Sequence, residues 1–439
     1  MNSIETHRNA ENSTGNGSAN GHNGLAGHLE RPHASGGTHD SDAPDLICLS
    51  HLRWDFVYQR PQHLLTRCAQ KRRVFFVEEP IFGDGPVSVD VSRRDCGVWI
   101  VVPHLPHGMG HEQIEAAQQG LLDFVMEQYG IHDYVAWYYT PMALGFTRHL
   151  KPAATIYDCM DELSAFHGAP PALREREAEL FQRADLVFTG GHSLYEAKKG
   201  QHRSVHAFPS SIDMGHFAQA RQWQNDPADQ ADIPHPRVGF FGVIDERMDI
   251  ELLAGIADAR PDWHLVMIGP VVKIDPATLP QRENIHFIGG KHYNELPGYL
   301  AGWDLAMLPF ARNESTRYIS PTKTPEYLAA GKPVVSTSIR DVISPYGTMG
   351  MVEIADTPEE FVTAAETAMA NGKGIEWLRR IDTFLENDSW DNTWERMNRL
   401  IRFAVKTNRP ATTGNGTQQI SLPSQRAHSA TNGVTSQTH

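Results

Sequence analysis

Short apolar runs alternate with helix-length spacers along most of this chain, and this alternation constrains the fold more than any other feature. The runs are rich in β-branched and aromatic residues, as strands are, and the spacers carry apolar residues at helical intervals. Strands joined by helices of about ten or more residues lie parallel in a sheet that is covered on both faces. The pattern therefore predicts an α/β fold of doubly wound, Rossmann-like parallel sheets.

The alternation runs through two series. In the first, strands are predicted at 45–50, 73–78, 134–139, 154–158, 185–190 and 204–208, a hairpin at 87–103, and helices at 58–70, 111–129, 141–149, 171–183 and 192–200. In the second, strands are predicted at 237–242, 264–269, 284–289, 304–310 and 333–337, with helices at 249–259, 292–301 and 357–371.

A chain of 439 residues exceeds one ordinary hydrophobic core, so each series is expected to form its own domain. Between the two series lies a polar, proline-bearing stretch that is typical of a linker. The last predicted helix has apolar residues on one face, and we expect it to cross back onto the first domain. The predicted division is a disordered tail at 1–44, domains at 45–218 and 237–387, a linker at 219–236, a crossing helix at 388–405 and a disordered tail at 406–439.

Charge and composition exclude several functions. A formal net charge of -14 argues against a nucleic-acid partner, because binding a duplex requires a basic face. The four cysteines show no C-x-x-C spacing, as in reduced cytosolic proteins, and no metal-ligand set is evident. No apolar run reaches the ~20 residues that span a bilayer, and no secretory signal opens the chain, so we expect a cytoplasmic protein. The basic segment 70–73 is either a peripheral contact for anionic lipid or a solvated turn.

The segment 313–337 contains a turn, a helix start, a helix stop and a short strand. Two Ser/Thr-Pro pairs precede the helix, and since a proline inside the first turn would remove a hydrogen bond, the helix is predicted to begin at Pro325. Gly331 is expected to end it. Free N–H groups at such a start favour an anion, and Lys323 adds a positive charge beside them.

One turn further along this helix, Glu326 is placed where a carboxylate can accept hydrogen bonds from paired sugar hydroxyls. The alternative is that Lys323 and Glu326 form a solvated (i, i+3) pair.

Further candidates follow from the rule that ligands bind beyond the carboxyl ends of parallel strands. His51 comes directly after the first strand and is a candidate to take a proton from an acceptor hydroxyl; the alternative is a histidine that bonds a loop carbonyl. Asp158 and Asp161 are candidates to hold acceptor hydroxyls or orient a base, unless Asp161 only caps a short helix.

In the second series, Gly242 and Gly269 each end a predicted strand. Arg247 lies in the loop after Gly242, where it can bind a diphosphate bidentately or remain a solvated charge. Asp249 is expected to cap the next helix.

Three common nucleotide or hydrolase motifs are missing. No G-x-G-x-x-G follows a strand, the G-K-P at 331–333 lacks the rest of a P-loop, and there is no G-x-S-x-G elbow.

The motif SPTKTPEYLAAGKPVVST, with FFG, ER and IGP before it, DLAMLPF just upstream and ADLVFTGGHSL in the first series, resembles the group 1 glycosyltransferases, which have the retaining-type GT-B fold. RPQHL, FFVEEP and YDCMDE resemble a bacterial branch associated with teichuronic-acid and other cell-surface polysaccharides. The resemblance covers residues 45 to 405.

The resemblance implies a nucleotide-diphosphate sugar, UDP-linked, bound mainly by the second domain, and a carbohydrate or lipid-linked acceptor bound by the first. It assigns Glu326 to the ribose hydroxyls, as the second glutamate of the family's E-x7-E motif. Ser320, Thr322 and Lys323 match the phosphate-binding helix start, and Arg247 matches the basic diphosphate ligand. At the position of the first motif glutamate this chain has Tyr318.

A second departure is that the family's usual second basic residue after Arg247 is not evident in the sequence, and Glu314 stands four positions before Tyr318. The enzyme expected from these features is a metal-independent glycosyltransferase without a resident cofactor, in which His51 and Asp161 activate or position the acceptor. A sugar-nucleotide epimerase of the same fold and a non-catalytic sugar-nucleotide-binding scaffold remain as alternatives. The sequence leaves the oligomeric state open.

Overall fold

The computed structural model describes residues 26–30, 43–371 and 374–409, which form two parallel-stranded sheets with helices on their faces. The strands of the first sheet are β1 Ala26–Leu29, β2 Asp45–Leu49, β3 Val74–Val77, β4 Ile81–Gly83, β5 Ser88–Arg93, β6 Val98–Pro106, β7 Tyr134–Tyr138, β8 Ala154–Cys159, β9 Leu186–Thr189 and β10 Val205–Ala207. Those of the second are β11 Arg237–Phe241, β12 His264–Ile268, β13 Ile285–Phe287, β14 Leu305–Leu308, β15 Val334–Ser336 and β16 Glu353–Ile354.

The helices lie between these strands in chain order. They are α1 Arg60–Ala69, α2 His111–Gln128, α3 Leu144–Thr147, α4 Leu173–Arg183, α5 His192–Lys198, α6 Met214–Phe217, α7 Ile250–Ala259, α8 Leu296–Ala301, α9 Lys323–Ala329, α10 Arg340–Val342, α11 Pro358–Asn371, α12 Ile375–Leu385 and α13 Trp390–Asn408.

Strand order follows the doubly wound pattern in both sheets. The first runs β1-β5-β6-β3-β2-β7-β8-β9-β10, with β4 beside β6, and the second runs β13-β12-β11-β14-β15-β16. Within the described residues the β5–β6 pair is antiparallel, which confirms the predicted hairpin, and the other pairs are parallel. The predicted fold class, two Rossmann-like domains, is confirmed.

The first sheet is buried on both faces because successive residues of each strand point to opposite sides. In β2, Ile47 and Leu49 join one apolar cluster, while Leu46 and Cys48 join another on the opposite face. This arrangement explains why the strands appear in the sequence as continuous apolar runs.

Helix α13 crosses back to the first domain, as predicted. Trp390, Trp394 and Met397 are buried in the cluster that contains Leu46. The chain thus passes between the domains twice, and the passages lie side by side: the Ile212 N–H donates to the Asp388 carbonyl at 2.8 Å.

The stretch 219–236, predicted to be a linker, packs instead on the second domain. Gln230 is buried, donates to the Tyr299 carbonyl at 3.1 Å and accepts from the Trp303 indole N–H at 2.9 Å, and Ile233 belongs to the second domain's core. The polar composition misled the prediction because these polar groups are satisfied inside the fold. The crossing itself lies between Phe208, in the first core, and Ile212, in the second.

The prediction of a disordered tail at 1–44 is wrong for residues 26–29, which form the strand β1. Ala26–Leu29 pairs in parallel with β5 at the edge of the first sheet, and the Tyr129 hydroxyl donates to the Glu30 carbonyl at 2.6 Å. A free sheet edge offers unpaired backbone groups that capture a short segment whatever its composition. The predicted disordered tail at 406–439 is likewise wrong for its first residues, because α13 continues to Asn408. Residues 1–25 and 31–42, and those from 410 onward, lie outside the described residues.

The basic segment 70–73 offers one exposed cation. Arg72 is buried and donates to the Asn398 side chain, Arg73 forms an ion pair with Asp45, and Lys71 is exposed. Among the described helices, none is long and apolar enough to cross a membrane.

Replacing Trp394 by alanine is expected to lower the free energy of unfolding by about 3–5 kcal/mol, since the ring is buried beside Trp137, with 6.5 Å between ring centroids. The matched control on the same helix is Phe403→Ala, at a side chain that is 40% exposed, where a change within about 0.5 kcal/mol is expected. Urea unfolding followed by tryptophan fluorescence measures both. Equal effects would show that α13 does not hold the first domain.

Candidate functional site

The carboxyl ends of β11 and β12 approach each other and the start of α9 very closely. Gly242 and Gly269 have φ of 144° and 147°, a region that residues with a side chain rarely adopt. A Cβ on Gly269 would lie 1.8 Å from the Gly242 carbonyl oxygen, and one on Gly242 would lie 2.1 Å from Cε of Lys323. Glycine at both positions lets the lysine side chain cross this sheet edge.

Helix α9 begins at Lys323 rather than at the predicted Pro325. Pro325 is therefore the third helical residue, where a backbone N–H has no intrahelical partner, so the proline costs no hydrogen bond. Gly331 ends the helix as predicted, with φ 73° and a bond from the Lys332 N–H to the Tyr327 carbonyl at 3.0 Å.

The ammonium of Lys323 lies 5.9 Å from the centroid of the Phe240 ring and has no carboxylate within ion-pair distance among the described residues. Burial lowers the pKa of Lys323, the charge of Glu326 raises it, and Arg247 lowers it further. The predicted solvated pair with Glu326 does not form.

Three polar side chains around this helix start are buried without a hydrogen-bond partner in the described part of the chain. Glu326 is 8% exposed, and the hydroxyls of Thr324 and Tyr293 are fully buried. Burial raises the pKa of Glu326, and burial together with the charge of Glu326 raises the pKa of Tyr293. Unsatisfied polar groups at this density indicate a place for a polar ligand.

Arg247 lies in the loop after β11 and is held by Asp245, which accepts from Nε at 2.9 Å and from Nη2 at 2.7 Å. Its Cζ lies 5.6 Å from the centroid of the Phe166 ring of the first domain. Nη1 has no hydrogen bond to the described residues. The guanidinium thus faces the gap between the domains, and among the described residues its Nη1 group has no hydrogen-bond partner.

Lys273, which the sequence analysis missed, lies near the same aromatic ring as Arg247. Its ammonium is 5.2 Å from the centroid of the same Phe166 ring, so a second cation lies at this gap besides Arg247. The residue follows β12 in VVKID with φ 64°. The signal that was overlooked is a lysine just beyond the carboxyl end of a strand.

His51 and Asp161 of the first domain face these cations. His51 Nδ1 is buried without a partner among the described side chains and backbone groups, and burial, together with the charge of Lys273, lowers the pKa of His51 to about 4. Burial raises the pKa of Asp161, while Arg247 opposes that shift. The Asp161 carboxylate caps no helix and has no hydrogen bond within the described ranges. The structure thus brings both candidates to the same gap as Arg247 and Lys273.

Asp158 does not share this gap. It is fully buried and binds Arg60, with 2.9 Å between Oδ1 and Nη2, and Arg60 also donates to the Phe208 carbonyl at 2.7 Å. This ion pair joins α1 to β8, so the role of Asp158 is structural.

The remaining predicted residues lie at the entrance to α9. Thr322 occupies the N-cap position without a side-chain hydrogen bond. Ser320 packs closely against Gly191 of the first domain: a Cβ added to Gly191 would lie 2.7 Å from the Cβ of Ser320. Glu314 points to solvent, 3.6 Å from Arg317, so the loop does not bring it to Glu326. Asp249 caps α7 by accepting from the Leu252 N–H at 2.8 Å, as predicted.

Two acidic residues beside Arg247 were also missed. Asp245 is buried and orients the guanidinium, while both carboxylate oxygens of Glu246 are buried with no partner among the described residues. In the described ranges no group of three or more His, Cys, Asp or Glu side chains is arranged to hold a metal ion.

Comparison with known proteins gives three kinds of match. Residues 235–371 match the family described as group 1 glycosyl transferases. A Bacillus subtilis protein named for a glycosyltransferase role in teichuronic acid biosynthesis, TuaH, is 27% identical over 237 residues, which is 49% of this chain and 58% of that protein. The matched region thus spans less than two thirds of that relative.

Solved structures share the fold. Sucrose-phosphate synthase from Thermosynechococcus elongatus superposes with a TM-score of 0.63 at 14% identity over 83% of this chain and 100% of its own. Anabaena HepE in complex with UDP and glucose superposes with a TM-score of 0.57 at 14% identity over 81% of this chain and 99% of its own. These structures confirm the predicted two-domain fold, while the family match of residues 235–371 and the likeness to TuaH bear out the resemblance.

Replacing Asp158 by asparagine is expected to lower the free energy of unfolding by about 3–5 kcal/mol, because Arg60 keeps a buried charge without its partner. The control is Asp258→Asn, which breaks an exposed pair with Arg282 and is expected to leave the free energy of unfolding nearly unchanged. Urea unfolding distinguishes the two. A stable Asp158→Asn protein that has lost only its activity would instead make Asp158 an acceptor-binding residue.

Proposed function

We propose that this chain, whose residues 235–371 match the group 1 glycosyl transferases, moves a sugar from a nucleotide-diphosphate sugar, UDP-linked, to an acceptor hydroxyl. The donor is a substrate rather than a resident cofactor. The acceptor is a carbohydrate or lipid-linked glycan of cell-surface polysaccharide or glycoconjugate synthesis. The likeness to TuaH supports that setting.

One observation carries the proposal: unpaired charge and unsatisfied polar groups meet at the start of α9. Lys323 is half-buried without a counter-ion among the described residues, and Glu326, Thr324 and Tyr293 lack hydrogen-bond partners there. A nucleoside diphosphate supplies what each of them lacks. Its phosphates pair with the ammonium, and its ribose hydroxyls donate to the carboxylate.

The chemistry follows from the fixed cations. As the bond between the sugar and the diphosphate breaks, negative charge grows on the leaving oxygen, and preoriented cations in a water-poor gap stabilise that charge. Lys323, Arg247 and Lys273 lie at this gap, and Asp245 and the Phe166 ring hold the arginine in orientation. We assign them the electrostatic role that a divalent ion has in metal-dependent transferases, so the reaction proceeds without a metal.

The first domain supplies the acceptor side. With a pKa of about 4, His51 is neutral at neutral pH and takes up a proton poorly. Its role in the proposal is to accept a hydrogen bond from the acceptor hydroxyl and so orient that hydroxyl toward the sugar. Asp161, opposite Arg247, is the group that receives the proton, because burial raises its pKa.

We place the enzyme in the cytoplasm. It contacts the inner face of the membrane peripherally, and the acceptor is presented there. The four cysteines occur as free thiols, three of them buried, which suits a reducing compartment.

Incubation with radiolabelled UDP-sugars and a glycan acceptor tests the proposal directly. Labelled glycan and free UDP are expected, and the anomeric configuration of the product, read by NMR, reports retention or inversion. A converted UDP-sugar without transfer would make the protein an epimerase. Tight UDP-sugar binding with no UDP released from any donor would make it a scaffold.

Replacing Glu326 by glutamine is expected to weaken UDP binding about 10- to 100-fold, because the ribose hydroxyls lose a charged acceptor. UDP at about 100 times its Kd stabilises a folded protein by roughly 2.7 kcal/mol, so at the same UDP concentration the thermal shift of the variant should fall to about half or less. Glu314→Gln is the matched control, since that carboxylate is exposed and pairs only with Arg317 at 3.6 Å. Identical shifts in both variants would refute the ribose assignment.

UDP binding is expected to take up a proton. Burial lowers the pKa of Lys323 in the free protein, and a bound diphosphate raises it again, so UDP affinity should fall as pH rises through the free protein's pKa. Calorimetry above about pH 7, in two buffers with different ionisation enthalpies, measures the uptake. Lys323→Arg keeps its charge at all these pH values and should abolish it. Equal net proton uptake in the wild type and in Lys323→Arg would contradict a diphosphate at Lys323.

A further inference from the structure

A cavity of about 480 Å³ opens between the two domains, beside the segment that leads into α9. Helix α5 of the first domain forms one wall, with Ser193 and Glu196. The second domain forms the rest from the loops after β14 and β15. Its volume lies in the range of cavities that hold small molecules. We call it the arginine pocket, after Arg312, Arg317 and Arg340, which line it.

The pocket is positive in a chain whose formal net charge is -14. Three arginines face one carboxylate, Glu196, along its lining. Arg340 has no carboxylate within ion-pair distance among the described residues, so it leaves positive charge in the lining that attracts an anion.

None of the three arginines is committed to a buried partner. Arg340 is exposed and has no carboxylate within ion-pair distance among the described residues. Arg312 pairs with Asp356 at 3.0 Å, with its own side chain 57% exposed, and Arg317 lies 3.6 Å from the exposed Glu314. Exposed pairs of this kind contribute little, so a ligand can replace them.

The chemistry of the lining selects an acidic sugar. A guanidinium matches a carboxylate or phosphate with two parallel hydrogen bonds. Tyr318 adds an aromatic ring, with Arg317 Cζ 5.3 Å from its centroid, and Ser193 and Glu196 offer polar groups for hydroxyls.

A single loop separates the pocket from the proposed donor site. The Ala311 N–H donates to the Arg247 carbonyl at 2.8 Å, and the Asn313 amide donates to the Glu246 carbonyl at 3.3 Å, while Asn313 also lines the pocket. Asp341 of the second domain, next to Arg340, accepts from the Ser193 N–H of the first domain at 2.9 Å. A molecule in the pocket therefore touches both domains and lies one loop away from the proposed donor site.

We propose that the arginine pocket binds the acceptor, and that this acceptor is a sugar carrying a carboxylate or a phosphate. The inference rests on the proposed transferase function and names its second substrate. In the transfer, the acceptor hydroxyl oxygen bonds to the anomeric carbon of the donor, the bond from that carbon to the diphosphate oxygen breaks, and UDP leaves. The hydroxyl proton passes to the Asp161 carboxylate.

The test uses p-nitrophenyl β-D-glucuronide and p-nitrophenyl β-D-glucoside, which differ only in the carboxylate, with glucose 6-phosphate as the phosphate arm. UDP release from a panel of UDP-sugars gives KM and kcat for each acceptor. The acidic acceptors are expected to have a KM at least about tenfold below that of the glucoside, a difference that added salt reduces. The lower KM of the two acidic compounds identifies the preferred anion.

Arg340→Gln and Arg312→Gln should each raise the KM for the acidic acceptor about tenfold and leave the KM of the donor and of the glucoside unchanged. Arg282→Gln, which removes an exposed arginine paired with Asp258 outside the pocket, is the matched control and should change neither. Equal KM values for glucuronide and glucoside, or equal effects of Arg340→Gln and Arg282→Gln, would overturn the proposal. The proposal would also be overturned if calorimetry showed that the acidic sugars bind and alter turnover but are not themselves glycosylated.

The two proposals fail separately. UDP binding and hydrolysis of a UDP-sugar require only the donor site. If the wild-type protein shows neither, the transferase function is refuted, whatever the pocket binds. Normal donor binding and turnover with no preference for acidic acceptors refutes the pocket assignment alone.

Discussion

The close approach of two strand ends and one helix start is the constraint on which the functional part of this molecule depends. Without side chains at Gly242 and Gly269, β11 and β12 end within contact of each other, and the side chain of Lys323 passes over them. A side chain at either position would collide with backbone or with the lysine. The fold thus places a cation at the one edge of the sheet where strands, helix and domain gap meet.

That placement leaves charges which the protein does not neutralise. Half-buried Lys323 and buried Glu326 lie one turn apart, yet they form no ion pair, and the hydroxyls of Thr324 and Tyr293 are unsatisfied within the described residues. Burying such groups without partners opposes folding, so a stable chain keeps them only where something else stabilises them. The same reasoning separates Asp158 from the site. Its charge is fully matched by Arg60, and it therefore has nothing left to offer a ligand.

The sequence predicted most of the architecture because the pattern that reveals strands and helices is local. Each strand end at Gly242 and Gly269, and the helix stop at Gly331, follows from residues a few positions apart. What depends on distant partners was missed. The strand β1 exists through its pairing with β5, and the buried Gln230 depends on Tyr299 and Trp303, about seventy positions away.

The candidate site divides in the same way. Lys323 and Glu326 were found because the helix start can be identified from its own residues. Lys273 was overlooked because its place is defined by Phe166 of the other domain, which no local pattern connects to it. His51 was found by position, but its burial, and with it the loss of its strength as a base, appears only in three dimensions.

The two passages of the chain between the domains run as neighbours, joined where Ile212 pairs with Ser389. A single strand of polypeptide would let one domain swivel freely about it, whereas two parallel strands bonded side by side resist torsion and bend most easily across their common plane. The paired passages thus oppose rotation of one domain about the other. The Asp341 carboxylate of the second domain also accepts from the His192 and Ser193 N–H groups at the start of α5, so the domains are joined by hydrogen bonds away from the two passages as well.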